Sequence, residues 1–294
     1  MRGPRAGGRG RSVRASGRAF GDIRPGVESL VATPTAGGAS FRGRVVHAVP
    51  VEVSPDNRRT IGSFDALSEE AMAAWDPEGD AGRRLLLNPA ILRLLGEASG
   101  TRILDAGCGQ GYLCRLLAAR GAEVTGVDPA RRLLDYAEGL EARRPLGIRY
   151  HQRDLSRLGQ IGQPFDSVIA NMVFLDIADW RAALASCVGA LRRGGLLVIS
   201  LLHPTWGPGA SESWSTRGAV ELREYLNDYE IAGGVGGGVN YHRPLSAYIN
   251  EVIALGCALT ELVEPALAAD EVEEPDQQVL VHIPNYVVVA ARRQ

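Results

Sequence analysis

The stretch Arg102-Ile103-Leu104-Asp105-Ala106-Gly107-Cys108-Gly109-Gln110-Gly111-Tyr112-Leu113 runs a short apolar segment into a glycine-rich turn and out into a helical pattern. Ile103-Leu104 reads as a buried strand, and Leu113, Leu116 and Leu117 recur at helical spacing beyond the turn. Glycine lets the backbone take positive φ angles and lets a ligand approach with no Cβ in the way. The start of the following helix presents free N–H groups, which suits a carboxylate or a phosphate. A strand, a tight turn and a helix in this order make a ligand-binding unit of an α/β fold.

Working outward, the same alternation continues. Val124-Thr125-Gly126-Val127 is a strand, and Leu133, Ala137 and Leu140 mark a helix. Strands follow near Ile148-Tyr150 and over Ser167-Ala170. Trp180, Ala183, Leu184, Cys187, Val188 and Leu191 form the stripe of a one-sided helix, which Gly194-Gly195 should stop before a fifth strand at Leu196-Ile199. Upstream, Leu67, Ala71, Met72 and Trp75 predict one helix, and Leu85, Leu86, Ile91, Leu92 and Leu95 a second around Pro89. Beyond His203-Pro204 the regularity breaks for about forty residues, through Trp206, Trp214 and the run Gly233-Gly234-Val235-Gly236-Gly237-Gly238. A stretch this long without secondary structure is usually functional, and it reads as a lid-like insertion at about 205–245 that covers the active site. A helix over Ser246 to Leu255, stopped at Gly256, and strands near Leu259-Val263 and Tyr286-Ala290 complete the chain. Short apolar strands between amphipathic helices predict an α/β, doubly wound, mostly parallel sheet with helices on both faces. Ligands in such sheets sit at the carboxyl ends of the strands, where the strand order reverses.

Composition narrows the function classes. The 294 residues suffice for one large domain plus an appendage, and a net charge of -2 gives no overall pull toward nucleic acid or anionic membrane. All 32 basic residues are arginine. The four cysteines form no CxxC pair and have no histidines at zinc spacing, so neither a disulfide framework nor a metal site is expected, and a reducing, cytoplasmic setting fits. No apolar run is long enough to span a membrane. Residues 1–60 read as an arginine- and glycine-rich, disordered extension, with Val45 to Val53 as a candidate edge strand or extended arm, and residues 61–294 as the folded domain.

A glycine turn serves a dinucleotide, a flavin or S-adenosylmethionine alike, and three details discriminate. The spacing is GxGxG, and Tyr112 stands where the dinucleotide pattern GxGxxG requires its third glycine. Asp105 precedes the turn, where a negative charge opposes a pyrophosphate but suits the cationic amino-acid end of a ligand. The next strand closes with Val127-Asp128, placing a carboxylate where it can accept both hydroxyls of a ribose.

Ile103 to Gly111, Val124 to Asp128, Asp154-Leu155 and Leu191 to Leu196 together resemble the class I, seven-stranded S-adenosylmethionine-dependent methyltransferases, and Tyr241 to Ser246, followed by a helix and Glu264-Pro265, is similar to those of the bacterial small-molecule type, including ones of specialised metabolism. The resemblance implies a Rossmann-like sheet with an antiparallel last strand at Tyr286-Ala290. It also implies that Gly107, Gly109 and Gly111 line the methionine and ribose parts, that Asp105 faces the amino-acid moiety, and that Asp128 holds the ribose hydroxyls. Asp154, with the backbone of Leu155, would meet the adenine; Asn171 and Met172 would border the sulfonium. Asp154 as a helix cap and Asn171 as a plain turn residue remain alternatives. Arg193 departs from the proline common before the paired glycines.

For the acceptor, His203 at the end of the fifth strand and His242 beside Tyr241 and Arg243 are candidate bases toward a hydroxyl or phenol. Trp75, Trp206, Trp214 and Tyr241 are candidate walls for a flat or apolar molecule, with Trp75 equally readable as helix packing. Arg83 or Arg84 is placed to reach a carboxylate, or to lie solvated. Asn171-Met172-Val173-Phe174 lacks the Asn/Asp-Pro-Pro-aromatic pattern of enzymes that methylate exocyclic amines of bases, and the domain has no basic stripe with interleaved aromatics, so a small-molecule acceptor is favoured over nucleic acid. Methyl transfer to oxygen, with nitrogen and carbon next, in specialised metabolite biosynthesis is the expected function, with S-adenosylhomocysteine as product. The alternative is a protein of this fold that binds the cofactor but catalyses a cyclisation or rearrangement, or senses the ligand.

Overall fold

The computed structural model describes Val53 and residues 55–294 apart from Pro208, and these fall in one compact unit. The candidate arm at Val45 to Val53 lies almost wholly outside the described residues. Pro55–Asn57 forms a single turn that leads into α1 (Arg58–Asp65) and α2 (Glu69–Ala73), where the Ser68 hydroxyl accepts from the Ala71 N–H as an N-cap. The expected domain boundary at residue 60 therefore falls inside α1. A π-helical turn (Arg83–Leu87) continues directly into α3 (Asn88–Leu95), with Pro89 tolerated in its first turn.

Then the sheet begins with β1 (Arg102–Ala106), α4 (Tyr112–Ala118), β2 (Glu123–Asp128), α5 (Arg131–Arg143), β3 (Arg149–Gln152), β4 (Phe165–Asn171), α6 (Trp180–Ala190) and β5 (Leu191–Leu202). After the insertion come α8 (Leu245–Ala254), β8 (Cys257–Val263) and β9 (Tyr286–Arg293). The seven strands are ordered β3-β2-β1-β4-β5-β9-β8. β1 to β5 pair in parallel, and β9 runs antiparallel between β5 and β8. Strand order reverses between β1 and β4, the switch point of a doubly wound sheet.

Successive strand side chains face opposite sides, so adjacent apolar residues feed two cores. Leu104, Val127, Val168 and Ala170 join Phe174, Trp180, Leu184 and Val252 on one face. Ile103, Val124, Ile169 and Val198 join Leu87, Ile91, Leu113 and Leu117 on the other. This is why the strands read as continuous apolar runs rather than alternating ones.

Two local expectations are corrected. The one-sided helix ends at Ala190, four residues before the paired glycines, because Leu191 already pairs with Phe165; Gly194 (φ +73) sits in the irregular start of β5. The insertion is not structureless. It holds α7 (Ala210–Arg217), bracketed by left-handed Gly209 and Gly218, and a hairpin of β6 (Tyr229–Ala232) and β7 (Val239–His242). The glycine run is the turn of that hairpin: the Gly233 and Gly234 N–H groups donate to Gly238 O at 3.2 and 3.0 Å, and Gly233, Gly236 and Gly237 take positive φ. Among the described residues no helix is long and apolar enough to cross a membrane.

Candidate active site

A cavity of about 1010 Å³, its open mouth included, lies over the carboxyl ends of β1, β2 and β4. That position follows from the switch point, where a doubly wound sheet binds its ligand. Asp105, Gly107, Gly109, Asp128, Asp154, Leu155, Asn171, Met172 and Trp75 line it, as do Asn57 and, from α1, Thr60, Ile61 and Phe64.

Two carboxylates enter from strand ends. Asp105 is 1% exposed; burial pushes its carboxyl up to about 7, with the Cys114 thiol donating to Oδ2 at 3.2 Å and the neighbouring Asp128 adding to the rise. Burial likewise pushes Asp128 up to about 6, although each of its oxygens accepts one backbone N–H, from Ala130 and from Gly109, both at 2.9 Å. A buried carboxyl with so raised a pKa lacks a counter-charge, and a ligand bringing an ammonium or hydroxyl donors supplies it.

The three glycines divide by role. A Cβ on Gly107 would stand 2.6 Å from Val173 Cγ2, and one on Gly111 2.5 Å from the Tyr150 hydroxyl oxygen, so both are required by packing at positive φ. A Cβ on Gly109 would meet nothing nearer than Leu133 Cδ1 at 3.9 Å. Gly109 is thus the glycine that leaves open space at the turn, while Gly111, which was expected to line the ligand, caps α4 and does not line the cavity. The residues present fit S-adenosylmethionine: an uncompensated acid for its amino group, an acid with free acceptor capacity for its ribose, and a cradle with no Cβ between them.

Beyond β3, Asp154 is buried and accepts from Asn57 Nδ2 at 3.2 Å, from the Ser156 N–H at 3.0 Å and from the Ser156 hydroxyl at 2.9 Å. It therefore caps a short turn and lines the cavity at once. Asn171 sits in a chain in which the Ser200 hydroxyl donates to its Oδ1 at 2.6 Å and its Nδ2 donates to the Tyr112 hydroxyl at 2.7 Å. Tyr112, the residue in place of a third glycine, thereby holds the end of β4. Met172 takes φ +60, a conformation uncommon outside glycine, and its N–H donates to Ser200 O and Oγ at 3.1 and 2.9 Å.

The remaining predicted residues stand elsewhere. His203 Nε2 lies 2.9 Å from Glu264 Oε1 and its Nδ1 2.6 Å from the Thr205 hydroxyl; burial lowers its pKa, opposed by Glu264. His242 Nε2 lies 3.0 Å from Tyr225 O, and its ring stacks on Tyr229. Both histidines, with Trp206 and Tyr241, line a small separate cavity between the insertion and α8, and Trp214 stacks on His282. None of these five residues borders the main cavity. The sequence reading missed what does: Asp176 and Ile177 after β4, Val235 from the hairpin turn, and the face of α1. Arg83 also lines it, ion-paired to Asp80 and with its guanidinium 5.8 Å from the Trp75 ring. An aspartate between Leu175 and Ile177 was the available signal, since a carboxylate inside an apolar run is expensive unless used or paired.

A family model described as a methyltransferase domain matches residues 104–199. A ubiquinone biosynthesis O-methyltransferase from Bradyrhizobium sp. (strain ORS 278) is 29% identical over 211 residues, 61% of this chain and 82% of that protein. The solved structure of an S-adenosylmethionine-dependent methyltransferase from Mesorhizobium loti is similar at 27% identity and a TM-score of 0.59, over 70% of this chain and 96% of its own. The magnesium protoporphyrin IX methyltransferase of Synechocystis PCC 6803, with bound S-adenosylhomocysteine, shares the fold at 16% identity and a TM-score of 0.56, over 81% of this chain and all of its own. Residues 104–199 thus carry a methyltransferase domain, and the chain is similar along most of its folded length to S-adenosylmethionine-dependent methyltransferases.

Proposed function

We propose that the protein transfers the methyl group of S-adenosylmethionine to an oxygen of a small-molecule acceptor in a biosynthetic pathway. The observation that carries this reading is that one cavity joins two unlike halves. Asp105, Asp128, Gly109 and Asp154 give it a polar lining from the strand ends, the cofactor half of this reading, and Ile61, Phe64, Trp75, Ile177 and Val235 give it an apolar lining, the acceptor half. S-adenosylmethionine supplies an electrophilic methyl group on a sulfonium. The protein's residues do the rest by position. Asp105 pairs with the ammonium, Asp128 accepts the ribose hydroxyls, Asp154 and Leu155 face the adenine, and Asn171 and Met172 border the sulfonium. Holding an acceptor oxygen in line with the methyl group in a dry site accounts for most of the acceleration such a displacement needs. The O-methyltransferase named among the relatives supports oxygen as the acceptor atom.

The insertion works as a lid in this reading, since Val235 at the hairpin turn belongs to the apolar half. The test is incubation with methyl-labelled S-adenosylmethionine and a panel of phenols, catechols, hydroxy acids and amines. Label in a phenolic or alcoholic product, with S-adenosylhomocysteine accumulating in equal amount, is expected. Turnover of an acceptor with no label transferred refutes methyl transfer in favour of a cyclisation or rearrangement on the same fold.

A further inference from the structure

The loop between β4 and α6 carries a carboxylate that the cofactor half does not use. Asp176 lines the main cavity and is half-buried there. Asn240 Nδ2, on β7, donates to Oδ1, and Oδ2 has no hydrogen-bond partner among the described residues. Its backbone is fixed on both sides. The Asp176 N–H donates to Val173 O at 2.9 Å, and Val173 packs on Gly107. The Tyr241 N–H donates to Leu175 O at 2.7 Å, and the Arg243 guanidinium donates to Phe174 O at 2.8 Å and Ile177 O at 2.9 Å. A residue held this way, four positions beyond Met172, shares the cavity with Phe64, Trp75, Ile177 and Val235 and brings to it one carboxylate oxygen without a hydrogen-bond partner among the described residues.

We propose that Asp176 accepts the proton of a phenolic hydroxyl on the methyl acceptor, a reading that rests on the methyl-transfer function above. The flat, apolar and aromatic surroundings fit a ring, and the free Oδ2 fits a single hydroxyl donor. In the step, the acceptor O–H bond breaks and its proton passes to Oδ2. The oxygen electron pair becomes the new O–CH3 bond, and the pair of the broken C–S bond stays on sulfur. Charge balances, since a carboxylate and a sulfonium are replaced by a carboxyl and a thioether; the carboxyl returns its proton to solvent.

The electrostatics agree. Burial pushes Asp176 up to about 7, against the lowering effects of Arg83 and of the Asn240 hydrogen bond, with Asp128 adding to the rise. Tyr248, on α8, feels Asp176 in turn, and the adjacent Arg243 spends its guanidinium on carbonyls and the Tyr248 hydroxyl. A base with a pKa near working pH takes a phenol's proton efficiently. His203 and His242 do not compete for the role, because neither reaches this cavity.

The probe is 4-nitrocatechol, a phenol that ionises near neutrality and changes colour when it does. Its binding to the full chain saturated with S-adenosylhomocysteine is followed by absorbance from pH 6 to 9. A complex in which Asp176 and the phenol share one proton loses affinity about tenfold per pH unit once both free partners are ionised. The wild type is expected to show this alkaline fall. Asp176→Asn is expected to remove it while S-adenosylhomocysteine affinity, measured by calorimetry, stays within about twofold; Asp176→Ser serves the same purpose if the first variant does not fold. An alkaline fall that persists in the variants, a wild type without one, or no binding of 4-nitrocatechol by wild type that binds S-adenosylhomocysteine overturns the assignment and leaves the methyl-transfer reading standing. A wild type that fails to bind S-adenosylhomocysteine refutes that underlying reading, and the role of Asp176 with it.

Discussion

The proposed placement of Asp105 and Asp128 against the cofactor predicts that binding of S-adenosylhomocysteine releases protons. In the ligand-free protein, burial holds their carboxyls at about 7 and about 6. At pH 6, Asp105 therefore carries about 0.9 of a proton and Asp128 about 0.5, and both must ionise to meet the ammonium and the ribose hydroxyls. The sign follows from the direction of the shifts. A raised carboxyl is neutral below its folded pKa, so the ionised form that binds gains population, and affinity rises, as pH increases toward 7. Full ionisation in the complex predicts release of about 1.4 protons at pH 6 and about 0.6 at pH 7. Affinity should rise about tenfold between those two values. Calorimetric titration in two buffers of different ionisation enthalpy, at each pH, measures the number directly. Asp105→Asn should cut the release at pH 6 to about 0.5, because only Asp128 then contributes. Heats that do not depend on the buffer, or proton uptake on binding, would refute the placement of the two acids against these ligand groups.

The other expectations follow from the same geometry. Asp128→Ala should weaken S-adenosylhomocysteine binding by about 1–3 kcal/mol in calorimetry, the scale of hydrogen bonds to a charged group. Gly109→Ala and Gly111→Ala should separate: the first costs roughly 1–2 kcal/mol of stability from its left-handed backbone and loses cofactor affinity, whereas the second collides with Tyr150 and shows a larger drop in denaturant midpoint. His203→Gln should leave methyl transfer nearly unchanged, against the ~10²-fold or greater loss that removal of a general base produces. Arg243→Lys should destabilise the protein by roughly 1–3 kcal/mol for each carbonyl left without a donor, since an ammonium cannot bridge Phe174 O and Ile177 O as the guanidinium fork does, and hydrogen exchange should locate the loosening in residues 174–178.

The parallel sheet was legible because its strands are apolar on both faces and its helices are one-sided, so β1, β2, β4 and β5 and the helices between them announce themselves. The polar lining of the cavity was legible for a related reason: Asp105, Asp128, Asp154 and Asn171 all lie within a few residues of a strand's carboxyl end, a place that sequence marks. The acceptor half had no such mark. α1 carries Ile61 and Phe64 on a short, largely exposed helix with no sustained stripe. Among the described residues β6 and β7 pair only with each other, so neither needs a continuous apolar run, and their turn reads as a linker because its glycines supply positive φ. The two histidines were attractive by type and by their position beside the fifth strand and the insertion. Which way the chain turns after Leu202 decides their surroundings, and no spacing rule encodes that turn.

The β4–α6 loop ties these halves together. Its first residues, Asn171 and Met172, are held by Ser200 from β5, and its later carbonyls are held by Arg243 and Tyr241 from the base of the hairpin. Buried carbonyls need donors, and here the insertion supplies them. The hairpin therefore reaches the cavity twice, through Val235 at its turn and through Asn240 on Asp176. A change in the insertion shifts the acceptor wall and the orientation of Asp176 together, while Asp105 and Asp128 are fixed separately by β1 and β2. Such a division lets one sheet keep its methyl donor while its acceptor changes, because the two halves share a cavity but hang from different elements.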